Sequence, residues 1–366
     1  MFGHDNFGAV QKLWAAFWQG ENKGPLFAVT VPKDGKSAAP LPPYLSWFSG
    51  GYEEAAAQAA RWRESLEFYG AAVPCFQCSF GSDDFAAFTG ADLSYSPIGG
   101  DSSGGTSWCG HVLKSLEKAE IRFEPQGKWW TRTREFYQVL KKKFGDEVMI
   151  AAPNIGAGLD ALSALYGPEE LLLALMDEPR LVRRSLDLVD AAYTEVIKAC
   201  AELFEFGNYG SVTRHGMYSP GWINIPQCDF SCMISPAFFD EFAVPSLAHE
   251  FSFMTGGEYH FDGPGAIKHL ESIVKIPGLE LIQWVPGAGA GGERDWTDLY
   301  KRILSLGKGL ILGCKAENAE KLVGKFRSRK LFVHVEGLKT RTEAEDFLYR
   351  MDKFWESLEA GGREAG

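Results

Sequence analysis

The sequence has no apolar run near the roughly 20 residues that a membrane-spanning helix needs, so none of its 366 residues is expected to cross a bilayer. The first residues, MFGHDNFGAVQKLW, also lack the basic and apolar regions of a signal peptide. We therefore expect a cytoplasmic protein with no membrane partner.

Basic residues are scarce as well. The chain has 37 Lys and Arg against 48 Asp and Glu, a formal charge of -11, and its basic clusters are short, at residues 141–143 and 327–330. Because binding to phosphates needs clustered Lys and Arg side chains, this balance argues against a nucleic-acid partner.

Cysteine is too sparse and uneven for a disulfide framework, since the chain has seven. The spacing of Cys75 and Cys78 is poor for a thiolate zinc site, because residues three apart in a strand point to opposite faces. The sequence also contains no serine nucleophile elbow, HExxH helix, kinase signature or P-loop. Any chemistry must therefore rest on other residues.

What the sequence does contain is an alternation of short β-type runs with longer helical patterns, such as the one over 52–69. The later runs are apolar until a polar end, which is typical of parallel strands buried on both faces. Eight such units predict an α/β fold, a (β/α)₈ TIM barrel that forms one domain over residues 1–366. The β-type runs are 26–32, 71–80, 148–155, 209–215, 258–263, 279–287, 310–314 and 331–337.

Two insertions and one helix break complete the predicted organisation. Residues 37–51 and 83–128 follow the first two β-type runs, where N-terminal insertions would cap the mouth of the barrel. Within the helical stretch 168–206, Glu178-Pro179 indicates a break between two helices.

His260 and Asp262 are the first candidates for chemistry. They lie two apart at the end of a predicted strand, so both side chains can point into the barrel mouth. An imidazole and a carboxylate on one face can bind a divalent metal or act as an acid/base pair. The alternative, a hydrogen-bonded histidine followed by a helix-capping aspartate, fits the spacing equally well.

His334 and Glu336 repeat this spacing in the last predicted strand, and Cys314 ends the strand before it. In a barrel, His260, Asp262, Cys314 and Glu336 would project from one rim. Such N, O and S donors suit zinc, although a cysteine in an apolar strand is usually a buried hydrophobe.

A loop aspartate and several other side chains are candidates for the substrate. Asp229 lies ahead of a helix that begins at Ser235-Pro236, too far upstream to cap it, and would face the mouth as a catalytic residue. Trp284 ends a strand and is either a pocket floor or core packing. The other candidate substrate-binding residues are Tyr259, Phe80 and Arg214.

Four stretches resemble the uroporphyrinogen decarboxylase superfamily, and they extend over nearly the whole chain. They are NFGAVQKLWAAFWQGENKGPLFAVTVP at the start, DALSALYGPEELLLALMDEPRLV (160–182), CDFSCMISPAFFDEFAVPSL (228–247) and YHFDGPGAIKHL (259–270). The resemblance implies a (β/α)₈ barrel. It also implies one of two activities, tetrapyrrole decarboxylation or corrinoid-linked, zinc-dependent methyl transfer.

The details favour the methyltransferase branch of this superfamily. Its true decarboxylases carry an arginine-rich signature after the first strand, whereas PKDGKSAAPLPP (32–43) contains no arginine. Its methyltransferases bind zinc through His-x-Cys and a later Cys, positions that fall here on His260, Asp262 and Glu336. Oxygen and nitrogen ligands leave zinc more Lewis acidic towards an ether oxygen than thiolates do, which implies chemistry of the O-demethylase type.

Three hypotheses follow from these residues. The first is a zinc-dependent methyltransferase that moves a methyl group from a small, for example methoxyaromatic, substrate to cobalamin on a partner corrinoid protein. The second is a metal-free decarboxylase or lyase on the same barrel. The third is a protein that binds a tetrapyrrole or corrinoid without turning it over.

Overall fold

The computed structural model describes residues 7–33, 36–97, 105–287 and 295–363, in which strands and helices alternate. The strands are β1 (Leu26–Pro32), β2 (Leu66–Gly70), β3 (Cys75–Gln77), β4 (Leu93–Pro97), β5 (Gly105–Cys109), β6 (Met149–Ala151), β7 (Ser211–Val212), β8 (Tyr218–Ser219), β9 (Glu258–Asp262), β10 (Leu281–Val285), β11 (Gly309–Lys315) and β12 (Leu331–Glu336).

The helices fall between and around these strands. They are α1 (Phe7–Gln19), α2 (Tyr44–Phe48), α3 (Tyr52–Glu64), α4 (Asp84–Phe88), α5 (Lys128–Phe144), α6 (Gly158–Tyr166), α7 (Pro168–Asp177), α8 (Pro179–Leu203), α9 (Phe206–Tyr209), α10 (Pro236–Phe238), α11 (Val244–Phe251), α12 (Leu270–Ile273), α13 (Thr297–Ser305), α14 (Ala319–Phe326) and α15 (Arg341–Arg363). Across the described ranges, no helix is long and apolar enough to cross a membrane.

A six-stranded sheet forms the centre of the molecule, with strand order β2-β1-β12-β11-β10-β9. The pairs from β1 to β9 are parallel, and only β2 runs antiparallel to its neighbour. Three short pairs, β3-β6, β4-β5 and β7-β8, form separate sheets. The expected α/β class with a central parallel sheet is therefore confirmed.

The strands of the described ranges do not close into the predicted (β/α)₈ barrel. β3 and β6 have three residues each and β7 has two, so their ladders are too short to join the six-stranded sheet. Single hydrogen bonds lie next to these ladders: Cys78 N–H donates to the Ala151 carbonyl at 2.9 Å at the end of the β3-β6 pair, and His260 N–H of β9 donates to the Pro226 carbonyl at 3.1 Å.

Two local predictions had different outcomes. The helix predicted over 52–69 ends at Glu64, and Leu66–Gly70 forms β2, because Leu66 and Phe68 bury one face in period two beside β1. The break predicted at Glu178-Pro179 is confirmed, since α7 ends at Asp177 and α8 begins with Pro179.

The central sheet is buried on both faces, which explains its continuously apolar strands. On one face, Phe332 packs against Trp14 of α1 with ring centroids 4.8 Å apart, and this cluster also holds Leu26 and Leu281 from the first positions of their strands. α1 therefore covers the amino end of the sheet. The opposite face packs against the surrounding helices, so the carboxyl ends of the strands remain available for a site.

Candidate functional site

Three of the predicted site residues meet at the carboxyl end of β9. His260 and Asp262 project from one face of this strand, and Asp229 begins the short 3₁₀ turn Asp229–Met233. One possible ligand atom from each residue lies within 4.8 Å of the others. His260 Nε2 and Asp262 Oδ2 are 3.9 Å apart. We call these three residues the Asp–His–Asp cluster.

Gln283 fixes the protonation pattern of the His260 ring. Its Oε1 lies 2.5 Å from His260 Nδ1, and because an amide oxygen can only accept, Nδ1 carries the proton and Nε2 keeps its lone pair. Burial lowers the pKa of His260, which favours the neutral imidazole. A neutral ring whose second nitrogen is held by a hydrogen bond is the form in which histidine binds metals.

Asp262 has one carboxylate oxygen without a partner. Its Oδ1 is buried and accepts no hydrogen bond from the described residues, which is costly for a carboxylate unless a cation or donor occupies the space beside it. Gly287 (φ +80°) borders this space: a Cβ there would lie 3.4 Å from Asp262 Oδ1 and 3.3 Å from Gly263 Cα.

Asp229 is held in place from two sides. The two carboxylate oxygens of Asp160 accept the backbone N–H groups of Asp229 and Phe230, each at 2.9 Å. Gln227 Nε2 donates to Asp229 Oδ2 at 3.2 Å. The half-buried Asp160 carboxylate thus anchors the backbone that carries Asp229.

Burial raises the pKa of Asp229 to about 8, and the negative charges of Asp160 and Asp262 add to this effect, whereas Arg214 opposes it. The repulsion between these three carboxyl groups therefore favours a proton on Asp229 unless a positive charge lies beside it. A bound cation would offset this repulsion.

The donor set of the cluster fits zinc on these observations. One neutral imidazole nitrogen and two carboxylates are ligand types that zinc accepts, and three protein ligands leave a position open for a reacting atom. The unpartnered Asp262 Oδ1 and the His260 Nε2 lone pair are the two atoms that a cation would satisfy.

A cavity of about 690 Å³ is lined by His215, whose ring centroid lies 6.4 Å from that of His260 in the cluster. Its ionisable lining groups include Arg214, His215 and His334, and none of the described residues around it is Asp or Glu. We call it the arginine cavity. Five aromatic rings also line it: Tyr44, Trp47, Trp62, Phe68 and Phe76.

A second cavity, of about 400 Å³, has the opposite charge. It is lined by Asp83, Asp160 and Asp229, and the described residues around it include no Lys or Arg. We call it the aspartate cavity. Trp108 and Met233, both at least half exposed, also line it.

Arg214 is tied to a buried carboxylate through a histidine. Its Nε donates to His215 Nε2 at 3.2 Å, and His215 Nδ1 hydrogen-bonds to Glu258 Oε1. Thr213 Oγ1 donates to Glu258 Oε2 at 3.1 Å, and the Glu258 side chain is completely buried. This relay holds the Arg214 side chain in a defined direction.

Two predicted ligands, Cys314 and Glu336, do not join the cluster. Cys314 pairs with Val335 and, like Leu312 two residues earlier, belongs to the outer apolar layer. Burial, with Glu336 nearby, raises the pKa of the Cys314 thiol to about 11. Glu336 shares the face of His334 but is exposed and pairs in register with Lys315. Glu336 ends β12 as expected, whereas β11 continues one residue past Cys314 to Lys315, and alternation directs the Cys314 side chain to the outer layer.

The predicted aromatic pocket residues are also packed elsewhere. Tyr259 and Phe80 are almost completely buried, and Trp284 is in edge contact with Phe261 and Trp296 at ring distances of 5.0 and 4.9 Å. None of the three lines either cavity. The physical reason is again alternation, since Tyr259 adjoins His260 and so faces the opposite side of the sheet.

Several residues around the cluster escaped the sequence analysis, namely Gln283, Glu258, His215 and Asp160. Glu258 had a signal, because it lies two residues before His260 and shares its face. His215 adjoins the predicted Arg214. Gln283 and Asp160 reach the site only through the register of β9 with β10 and through the fold of the 3₁₀ turn.

No family model matches the sequence, and a search of curated proteins finds no match. Among solved structures, the chain is similar to a methyltransferase from Methanosarcina mazei, with a TM-score of 0.59 and 12% sequence identity. The similarity covers 94% of this chain and 99% of that chain. At this identity the likeness establishes a shared fold over nearly the full length.

Proposed function

We propose that this protein is a zinc-dependent methyltransferase that moves a methyl group from a small substrate, such as a methoxyaromatic compound, to cobalamin on a partner corrinoid protein. The observation that carries the proposal is the Asp–His–Asp cluster, in which His260 Nε2 keeps its lone pair and the buried Asp262 Oδ1 has no hydrogen-bond partner among the described residues. The similar structure is described as a methyltransferase, which supports the same kind of reaction.

We also propose that the chain belongs to the uroporphyrinogen decarboxylase superfamily. In this proposal, the six-stranded sheet and the short strands β3, β6 and β7 correspond to a (β/α)₈ barrel whose hydrogen bonding is interrupted at the short strands. The full-length similarity in fold is consistent with that assignment.

Each residue of the site has a distinct task in this proposal. His260, Asp262 and Asp229 would hold the zinc ion, which would supply Lewis acidity towards the heteroatom that carries the methyl group. Gln283 keeps the His260 lone pair directed at the metal. Asp160 and Gln227 fix Asp229, and the arginine cavity binds the methyl donor beside the cluster.

Elemental analysis with a matched pair of variants tests the proposal. The purified protein is expected to hold about one zinc per chain, which His260→Ala loses together with methyl transfer to a cob(I)alamin acceptor. Cys314→Ala, whose side chain lies in the outer layer, is expected to keep both. Full metal content in His260→Ala, or its loss in Cys314→Ala, would contradict the assigned ligands.

One observation favours a metal-free decarboxylase as a second candidate. The raised pKa of Asp229, about 8, supplies a carboxylic acid proton near the Arg214 guanidinium, as a proton-donating lyase would need. Carbon dioxide release that persists after chelation would establish this candidate. A tetrapyrrole-binding role would instead appear as a tightly held chromophore in the visible spectrum.

A further inference from the structure

Arg214 places a permanent positive charge inside the arginine cavity without an acidic partner there. Its Nε is engaged with His215, and no carboxylate of the described residues lies within ion-pair distance of the guanidinium. The two terminal nitrogens of the fork thus remain for a ligand. A guanidinium in a cavity wall matches the two oxygens of a carboxylate.

The orientation of this guanidinium is set before any ligand arrives. Glu258, which is buried, holds His215, and His215 in turn accepts from Arg214. Thr213 occupies the second oxygen of Glu258, so the Glu258 charge is satisfied within the relay. Because the arginine is already positioned, binding an anion loses less side-chain entropy.

The rest of the cavity wall combines aromatic rings with uncharged polar side chains such as Gln77 and Asn154. Tyr44, Trp47 and Trp62 are partly exposed rings on its surface, and aromatic walls of this kind favour stacking or edge contact with a planar body. The volume of about 690 Å³ lies in the range of small-molecule sites.

From these observations we propose that the arginine cavity binds a planar organic carboxylate, with the carboxylate on the Arg214 fork and the planar body against the aromatic wall. The binding stands on the cavity alone. Only the identification of this ligand as the methyl donor rests on the proposed function.

Three probes of nearly the same shape test the sign of the charge that the cavity selects. Benzoate, benzamide and benzamidinium carry charges of -1, 0 and +1 and are compared by isothermal titration calorimetry, with and without chelator to separate metal binding. We expect benzoate to bind at least tenfold more tightly than benzamide, and benzamidinium most weakly. Equal affinity for benzoate and benzamide would overturn the proposal.

Variants then assign the preference to one side chain. Arg214→Met is expected to abolish the preference for benzoate and to leave benzamide binding within twofold, whereas Arg214→Lys keeps part of it. Arg180→Met, an exposed arginine of α8 that lines neither cavity, is expected to behave as wild type. A benzoate preference that survives in Arg214→Met would also overturn the proposal.

The outcome is separable from that of the methyltransferase proposal. Zinc binding and methyl transfer without selective benzoate binding would overturn the carboxylate site alone. Selective benzoate binding in a protein without zinc or methyl transfer would overturn the methyltransferase alone.

Discussion

The arginine cavity and the aspartate cavity have opposite charge. Asp229 of the cluster lines the second, and the first approaches the cluster through His215, whose ring lies 6.4 Å from that of His260. The first holds a single guanidinium, Arg214, among aromatic rings, and the second holds Asp83, Asp160 and Asp229 with no cation among its described lining residues. One lining residue of each cavity, Arg214 and Asp229, interact electrostatically, since Arg214 lowers the pKa of Asp229.

This difference shows how an acidic chain can make a site for anions. With a net charge of -11, the molecule as a whole repels a carboxylate, so affinity must come from a local arrangement that excludes acids from one wall. Glu258 orients Arg214 indirectly, through His215. The Glu258 carboxylate itself is hydrogen-bonded by His215 and Thr213. The aspartate cavity keeps its charges together and is suited to a cation.

The largest expected effect concerns Asp84, a buried residue that contacts a lining residue of one cavity and follows a lining residue of the other in the sequence. Its carboxylate accepts from Ser79, which lines the arginine cavity, and it neighbours Asp83 of the aspartate cavity. Burial raises the pKa of Asp84 from 3.8 to about 7. The folded protein therefore keeps a proton that the unfolded chain loses, and stability falls as pH rises from about 4 to about 7.

The measurement for this prediction is urea unfolding of wild type and Asp84→Asn from pH 4 to pH 8. Relative to the variant, the wild type is expected to lose up to about 4 kcal/mol of unfolding free energy across this range. The comparison uses the pH dependence alone, so hydrogen bonds altered equally at all pH values do not affect it. Parallel pH profiles would contradict the assignment.

The second prediction concerns Gln283, the residue behind His260. Gln283→Leu removes the acceptor that fixes the ring, and we expect zinc affinity to fall about 10- to 100-fold while zinc can still bind. Competition with a fluorescent zinc chelator measures this change. Gln138→Leu, at an exposed position of α5, serves as the control. Unchanged zinc affinity in Gln283→Leu would show that the hydrogen bond from His260 to Gln283 does not support metal binding.

A smaller effect is expected for Glu258, on the arginine side. Glu258→Gln keeps the size of the side chain but weakens the hydrogen bond to His215 and so loosens Arg214. Benzoate affinity is expected to fall by about three- to tenfold, with benzamide unchanged. Glu280→Gln, which alters an exposed ion pair with Lys330, is the control; an equal loss for both ligands would indicate general damage instead.

The smallest effect is predicted for Trp284, which the sequence analysis placed at the pocket and the structure places in the outer layer. Trp284→Phe is expected to leave zinc and benzoate affinities within twofold. Its stability should change by about 1 kcal/mol, because lost packing is partly offset by removal of the buried, unpartnered Nε1. A tenfold loss of benzoate binding in a folded variant would return Trp284 to the site.

Much of the fold followed from sequence pattern because buried parallel strands and helix breaks have local signatures. LFVHVE (β12) and LIQWV (β10) are apolar on both faces, and Pro179 marks the start of α8. Whether the strands close into a barrel could not be predicted from such local patterns. It depends on ladders between β3, β6 and β7, whose two or three residues leave little periodicity to recognise.

In the candidate site, the two-residue alternation of strand side chains predicted the correct partner of His260. Position at the end of a strand, used without that alternation, selected residues that do not reach the site. Counting from His260 correctly brings in Asp262. The same alternation predicts that Tyr259 faces the side of the sheet opposite His260. Along β11 it places Cys314 on the outer face with Leu312. Asp160 and Gln283 needed coordinates, because strand register and turn geometry bring them to the cluster.

The bare backbone at Gly287 has a consequence for how freely this protein can vary. With φ at +80°, and Asp262 Oδ1 and Gly263 Cα within 3.4 Å of where a Cβ would stand, any other amino acid would strain the backbone and crowd the Asp262 carboxylate. Gly287 is thus expected to tolerate few substitutions, although it supplies no ligand atom to the site. Libraries built to alter the reaction should leave position 287 untouched.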